Sequence, residues 1–216
     1  MTTEYFQIKD KCRKGLLPYL AKAFSLVPKI EKPKILDIGC GTGVPTLWLA
    51  ENNAGKITAI DTDTKALDWL QEKIADKNLE NQISTIPVSF FNLELNLKCF
   101  NIILAEGFLN VVGFEMGYPK VIGMLEKDGY FIIHDEYRDH EKKCDIISKN
   151  RCKLIATLFL DETVWWNDYY KQLENEINAI KVKQIKDSFK SDLKEIECYK
   201  SDPTPFKSIY YIVKKL

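Results

Sequence analysis

Between residues 34 and 136 the chain alternates short apolar runs with amphipathic ones, and this alternation restricts the fold more than any other feature. "KILDIG", "KITAID", "ISTIPV", "FNIILAE" and "YFIIHDE" read as five strands, the third weakened by Pro87. Between them lie "PTLWLAENN", "TDTKALDWLQEKIADKN" and a helix near "FEMGYPKVIGML"; "KDG" reads as a turn before the fifth strand. Pro45 stands in the first turn of the first helix, while Leu67, Leu70 and Ile74 share one face of the second, capped by Thr62 or Asp63. Strands and helices in this order build parallel βαβ units, a sheet covered on both faces, and an α/β fold. Ligands of such sheets sit beyond the carboxyl ends of the strands. That rule selects the glycines at 39–43, Asp61, Ser89 and Phe90, Glu106, and the run His134, Asp135, Glu136.

The flanks differ. Leu16, Leu17, Leu20, Ala23, Phe24 and Val27 recur at helical spacing until Pro28 ends the run. After residue 137, "EKKCDIISKN" reads as a short helix and "KLIATLFL" as a sixth strand. Residues 164–200, opening with "VWWNDYYKQLENEI", read as one long helix or two consecutive ones, and "SIYYIVKK" as a last strand after the turn-forming "SDPTPF". A length of 216 residues suits one domain, with 1–30 as a helical cap and 164–200 as a helical insertion.

The 31 basic and 31 acidic residues cancel, and arginine occurs only at 13, 138 and 151, so the composition predicts neither a nucleic-acid nor a membrane partner. No apolar run reaches the length of a membrane span, and the N-terminal "MTTEYFQIKDKCRKG" has charges where a signal peptide needs an apolar stretch; the expectation is a cytoplasmic protein. Six cysteines without a CxxC pair and only two histidines predict reduced thiols and no metal site.

The stretch "ILDIGCGTGVPTLWL" runs from strand through a glycine-rich turn into helix. A dinucleotide fingerprint, G-x-G-x-x-G/A, would require glycine or alanine at the position of Val44; here the third glycine comes one residue early, at Gly43, and Pro45 removes a backbone donor from the helix start. The loop therefore offers bare backbone at Gly39, Gly41 and Gly43 to a ligand that need not carry phosphate. Asp61, closing "ITAID" twenty residues past Gly41, can accept from both hydroxyls of a ribose or serve as a turn acid, Asp63 being the better cap.

The strings "ILDIGCGTG" and "ITAIDTD" resemble class I S-adenosylmethionine-dependent methyltransferases, particularly the small type 11 group related to quinone-biosynthesis enzymes. "LAEGFLNVVGFE", "KDGYFIIHDE" and "FLDETVWWNDYY" are similar to a branch of small uncharacterised bacterial and archaeal methyltransferases, and "YYIVKK" fits that family's last strand. The resemblance implies a Rossmann-like three-layer sandwich with a mostly parallel seven-stranded sheet, its last strand antiparallel beside strand five. It implies S-adenosylmethionine as cofactor and S-adenosylhomocysteine as product. Asp37, Gly39, Gly41 and Gly43 would then approach the amino-acid end, Asp61 the ribose, and Ser89 and Phe90 the adenine. "SFFN" lacks the acid that often meets the adenine amine, and Phe90 and Phe91 equally suit a core.

Glu106 follows strand four, where the resemblance places methyl transfer; it reads as a base, as a contact to the cofactor amine, or as a structural acceptor. Asp135 is the second candidate base, beside a His134 that equally suits a buried structural role. Trp165, Tyr169 and Tyr170 would share a helical face, either anchoring the late helical segment or lining an acceptor pocket, where aromatic walls favour a cationic or planar group. Residues 137–152 make a shorter segment than in those relatives, which leaves the acceptor site more open or completed by the N-terminal helix or a partner subunit. The expected function is methyl transfer to a small molecule by a monomer or homodimer; the alternative is a non-catalytic cofactor-binding or assembly protein.

Overall fold

The computed structural model describes residues 3–93 and 99–216. Seven strands form one sheet: β1 (Lys34–Ile38), β2 (Lys56–Asp61), β3 (Ile83–Pro87), β4 (Phe100–Glu106), β5 (Leu125–Glu136), β6 (Cys152–Leu160) and β7 (Ser208–Lys215). Their order is β3-β2-β1-β4-β5-β7-β6. β7 runs antiparallel to both β5 and β6, and the pairs from β3 through β5 are parallel. Insertion between β5 and β6 explains why "SIYYIV" is buried at every position: both edges and both faces of β7 are covered.

β1 is buried on both faces. Ile35 lies opposite Ile57 on one side and Ile102 on the other, and Ile38 lies opposite Ile60 and Ala105. Successive residues feed opposite layers, as strand geometry requires. Ile35, Ile102, Leu104 and Ile132 pack on the face covered by α2 (Leu17–Phe24), α3 (Val44–Asn52) and α4 (Thr64–Asp76), through Leu20, Leu47 and Leu70. Leu36, Ile103, Phe131 and Ile133 pack on the other face against α5 (Leu109–Val112), α6 (Phe114–Met124) and α7 (His140–Lys149), through Leu109, Tyr118 and Ile147.

Two expectations are refined. The "KDG" turn is a kink within β5: Leu125 already pairs with Phe100, Asp128 takes a left-handed φ of 64°, and the register shifts before Ile102 meets Tyr130. The late helical segment is broken further than one or two helices. It comprises α8 (Glu162–Trp165), a π-helical turn (Trp166–Tyr170), α9 (Lys171–Ala179), α10 (Lys183–Asp187) and α11 (Lys190–Ser201). The β-branched Ile180 and Val182 adopt extended backbone and interrupt the helix between α9 and α10.

A third apolar cluster joins α1 (Thr3–Arg13) to this segment through Tyr5, Phe6, Tyr169, Leu173, Phe189 and Ile196. The Lys9 ammonium pairs with the buried Asp192 of α11, which also accepts from the Tyr5 hydroxyl at 3.2 Å. Among the described residues no helix is long and apolar enough to cross a membrane.

Gly15, in the 3-10 turn after α1, permits the closest backbone approach in this cap: a Cβ there would lie 2.0 Å from the Asp168 carbonyl oxygen. Gly15→Ala is expected to lower unfolding free energy by about 1–3 kcal/mol. Gly123, in α6, is the opposite case, since a Cβ added there would meet no atom within 4 Å. Gly123→Ala is expected to raise unfolding free energy by about 0.4–1 kcal/mol. Urea unfolding of the two variants checks both signs.

Candidate functional site

β2 and β3 lie to one side of β1, β4 and β5 to the other, so the carboxyl edge opens between β1 and β4. There β1 runs into the glycine loop, with left-handed φ at Gly39 (70°), Gly41 (52°) and Gly43 (78°). Four of its amides are turned inward. Gly39 N and Cys40 N donate to Ile60 O at 2.9 and 3.1 Å, Gly43 N to Cys40 O at 2.8 Å, and Gly41 N to Asp61 Oδ2 at 2.7 Å. A phosphate cradle needs such amides pointing at the ligand. This loop gives them to its own chain.

Carboxylates border the loop: Asp37 and Glu106 line a cleft beside Gly39 and Gly41, and Asp61 is bonded to Gly41 N. Asp37 is buried and accepts from Thr46 Oγ1 at 2.6 Å. Burial pushes it up to about 7, against the Thr46 hydrogen bond, with Glu106 and Asp61 adding to the rise and Arg13 opposing it. Asp61 Oδ1 accepts from Asp63 N at 2.9 Å. Asp63 itself caps α4, accepting from Lys65 N at 3.0 Å and Ala66 N at 3.2 Å, which leaves Asp61 outside the capping role.

Three clefts meet at this edge. The first, about 310 Å³, is lined by Gly39, Asp61, Ser89, Phe90, Phe108 and Val111; Phe90 is at once its wall and part of the core beneath. The second, about 320 Å³, lies between Asp37, Gly39, Gly41 and Glu106 below and Tyr5, Phe6, Lys9 and Arg13 of α1 above. The third, about 270 Å³, is lined by Arg13, Asn110, His134, Asp135, Trp165, Tyr170, Glu195 and Phe206. Gly107 lines all three, and Arg13 the second and third.

Beside that junction, Glu106, His134 and Tyr210 stand in one row across β4, β5 and β7. The Tyr210 ring stacks on His134 with centroids 4.2 Å apart, and its hydroxyl donates to Glu106 Oε1. Arg13 Nη2 lies 3.9 Å from Glu106 Oε2. Burial raises the Glu106 pKa, while Arg13 and the Tyr210 hydrogen bond lower it. His134 is buried, pushed down to about 3 by desolvation and secondarily by Arg13, and is therefore neutral at neutral pH. Its Nε2 lies 3.0 Å from Ser208 Oγ, which also accepts from Trp165 Nε1 at 3.3 Å. Asp135 also borders the third cleft, but its carboxylate is engaged by Lys143 at 3.1 Å and by the Glu136 amide at 2.8 Å.

The aromatic string separates. The π-helical turn brings Trp165 and Tyr170 together, rings 5.8 Å apart, on the third cleft. Tyr169 is not among the residues lining that cleft; it lies beside Lys9 of α1 in the cap cluster. Sequence reasoning missed Asp10, Arg13, Glu195, Ser208 and Tyr210. Only Arg13 carried a signal, as one of three arginines in a lysine-rich chain. Asp10 ties α1 to the loop and to α4: it accepts from Thr42 Oγ1 at 2.5 Å, from Trp69 Nε1 at 2.9 Å, and from Lys73.

The family model described as a methyltransferase domain matches residues 30–178. The ribosomal protein L11 methyltransferase of Ruminiclostridium cellulolyticum is 27% identical over 135 residues, which cover 62% of this chain and 42% of that protein. The match thus spans less than half of that relative's length. Among solved structures, the cyclase SpnF superposes with a TM-score of 0.79 at 13% identity, over 92% of this chain and 80% of that one. Geranyl diphosphate C-methyltransferase from Streptomyces coelicolor A3(2), solved with Mg2+, geranyl diphosphate and S-adenosyl-L-homocysteine, gives 0.68 at 11% identity, over 92% and 79%. The shared architecture is the Rossmann-like sheet with β7 inserted antiparallel.

Because the Asp37 pKa is raised from 3.8 to about 7, the fold favours its neutral form. The associated stability is present at low pH and lost as pH rises through that interval. Relative to the unsubstituted protein, Asp37→Asn is therefore expected to gain stability between pH 4 and 7 and then level off, as measured by urea unfolding across that range. A pH-independent difference would show that Asp37 does not titrate there.

Proposed function

This chain belongs to the methyltransferase domain family, and we propose that it transfers the methyl group of S-adenosylmethionine to a small-molecule acceptor. The observation that carries the reading is the acceptor-rich set of acids at the loop. Asp37, Asp61 and Glu106 surround a turn whose amides are used internally. That setting disfavours a pyrophosphate and suits a ligand with a sulfonium, an ammonium and a ribose.

In this reading Asp37, Gly39, Gly41, Gly43 and Glu106 hold the methionine end in the second cleft. Asp61 takes the ribose, since each of its oxygens has a lone pair beyond the amide it already accepts. Ser89 and Phe90 hold the adenine in the first cleft. When bound, the cofactor supplies an activated methyl group. The chain's own work is to orient the acceptor, exclude water and, for an acceptor that must lose a proton, receive it on Glu106 Oε2. Asp135 borders the acceptor cleft with its carboxylate paired to Lys143, which leaves Glu106 as the base of this reading. Trp165 and Tyr170 line the acceptor's side, and Tyr169 fixes the α1 wall.

The acceptor cleft, about 270 Å³ and walled by α1 and the late helices, fits a small molecule better than a nucleic acid or protein surface. The zero formal net charge points the same way. A cleft of that size, joined through Arg13 and Gly107 to the cleft that Glu106 lines, favours catalysis over a purely cofactor-binding role.

Calorimetry against S-adenosylhomocysteine and NAD tests the cofactor: the first is expected to bind and the second not, and the reverse would reject the proposal. Asp61→Ala, checked for folding by circular dichroism, is expected to weaken S-adenosylhomocysteine binding by about 1.5–3 kcal/mol. Unchanged affinity would remove the ribose role.

A further inference from the structure

The third cleft has an uneven charge. Its cations are already faced by acids: Arg13 by Glu106 at 3.9 Å and Lys207 by Glu162 at 3.9 Å. Two of its carboxylates are likewise faced by cations, Glu136 by Arg138 at 3.0 Å and Asp135 by Lys143 at 3.1 Å. His134 is neutral. Glu195 of α11 is different. Among the described residues it enters no ion pair, and its one hydrogen bond is from the Tyr170 hydroxyl, at 2.8 Å to Oε1. The Tyr170 bond fixes the carboxylate beside the rings of Trp165, Tyr170 and Phe206, which are 5.8 and 5.9 Å apart in successive pairs. Among the described residues no other group bonds to Oε2. Glu195 is solvent-exposed on α11, and a carboxylate with no ion-pair partner, held beside an aromatic wall, lowers the free energy of a cation chiefly through its charge.

We infer that the acceptor carries a cationic group, an alkylammonium or amidinium, seated against Trp165, Tyr170 and Phe206 with Glu195 as its counter-ion. The inference rests on the third cleft being the acceptor site of the proposed methyl transfer. It concerns the group by which the acceptor is held, whichever atom is methylated. Arg13 borders the same cleft and would select an anionic acceptor if Glu106 did not already face it.

The test uses the protein saturated with S-adenosylhomocysteine and three probes that share a phenyl ring and differ in the head group: phenethylammonium, phenethyl alcohol and 3-phenylpropionate. Binding is read by calorimetry and by the shift of the Trp165 indole N–H in 15N-labelled protein, assigned with Trp165→Phe. Phenethylammonium is expected to bind roughly tenfold tighter than the alcohol, and 3-phenylpropionate weakest. Glu195→Gln keeps the size and the Tyr170 hydrogen bond; it is expected to abolish the preference for the ammonium and leave S-adenosylhomocysteine affinity unchanged. Equal binding of ammonium and alcohol, tightest binding of the carboxylate, no binding of any probe, or an ammonium preference that survives Glu195→Gln would each overturn the inference. Failure of S-adenosylhomocysteine to bind would instead strike the methyltransferase reading, and the same titrations on the cofactor-free protein would still decide the charge of the cleft.

Discussion

The site depends on one constraint, the parallel pairing of β1 on both its sides. With β2 and β4 hydrogen-bonded to it and apolar layers on both faces, β1 cannot slip by one residue without exchanging the layers that Ile35 and Leu36 serve. That fixes Gly39 beyond Ile38 and Glu106 beyond Ala105, at the place where the strand order turns away in both directions. The same pairing draws Asp37 of β1 into the interior, where burial pushes its carboxyl up to about 7.

The parts of this arrangement that are local in sequence were legible there. Strand and helix alternation, the glycine-rich turn, the Asp63 cap and the position of Asp61 each follow from a few neighbouring residues. What depends on non-local pairing was not. Tyr210 and Tyr211 are adjacent and both buried, yet one stacks on His134 of the site and the other lies against His140 on the far face. Alternation says that they point apart; only the register of β7 against β5 says which reaches Glu106. Arg13 was marked only by the scarcity of arginine, and Glu195 is one of many acids on the late helices. Their meaning arises when the cap closes over the sheet.

That closure is held in part by polar contacts to two acids. Asp192 receives Lys9 and Tyr5, and Asp10 receives Thr42, Trp69 and Lys73. Both acids are buried, where a hydrogen-bonded carboxylate is directional and intolerant of loss. Through Asp10, the helix that carries Arg13 to the third cleft is bonded directly to the glycine loop that borders the second.

The π-helical turn at Trp166–Tyr170 accommodates one residue more than an α-helical turn. The extra residue rotates everything before it relative to everything after it, so that Trp165 and Tyr170 face the cleft while Tyr169 faces α1. A single-residue deletion in this turn would restore α-helical phase and exchange cleft-facing for cap-facing side chains, leaving the sheet and the glycine loop in place. Helix phase, as much as side-chain identity, thus sets which aromatic rings line this cleft.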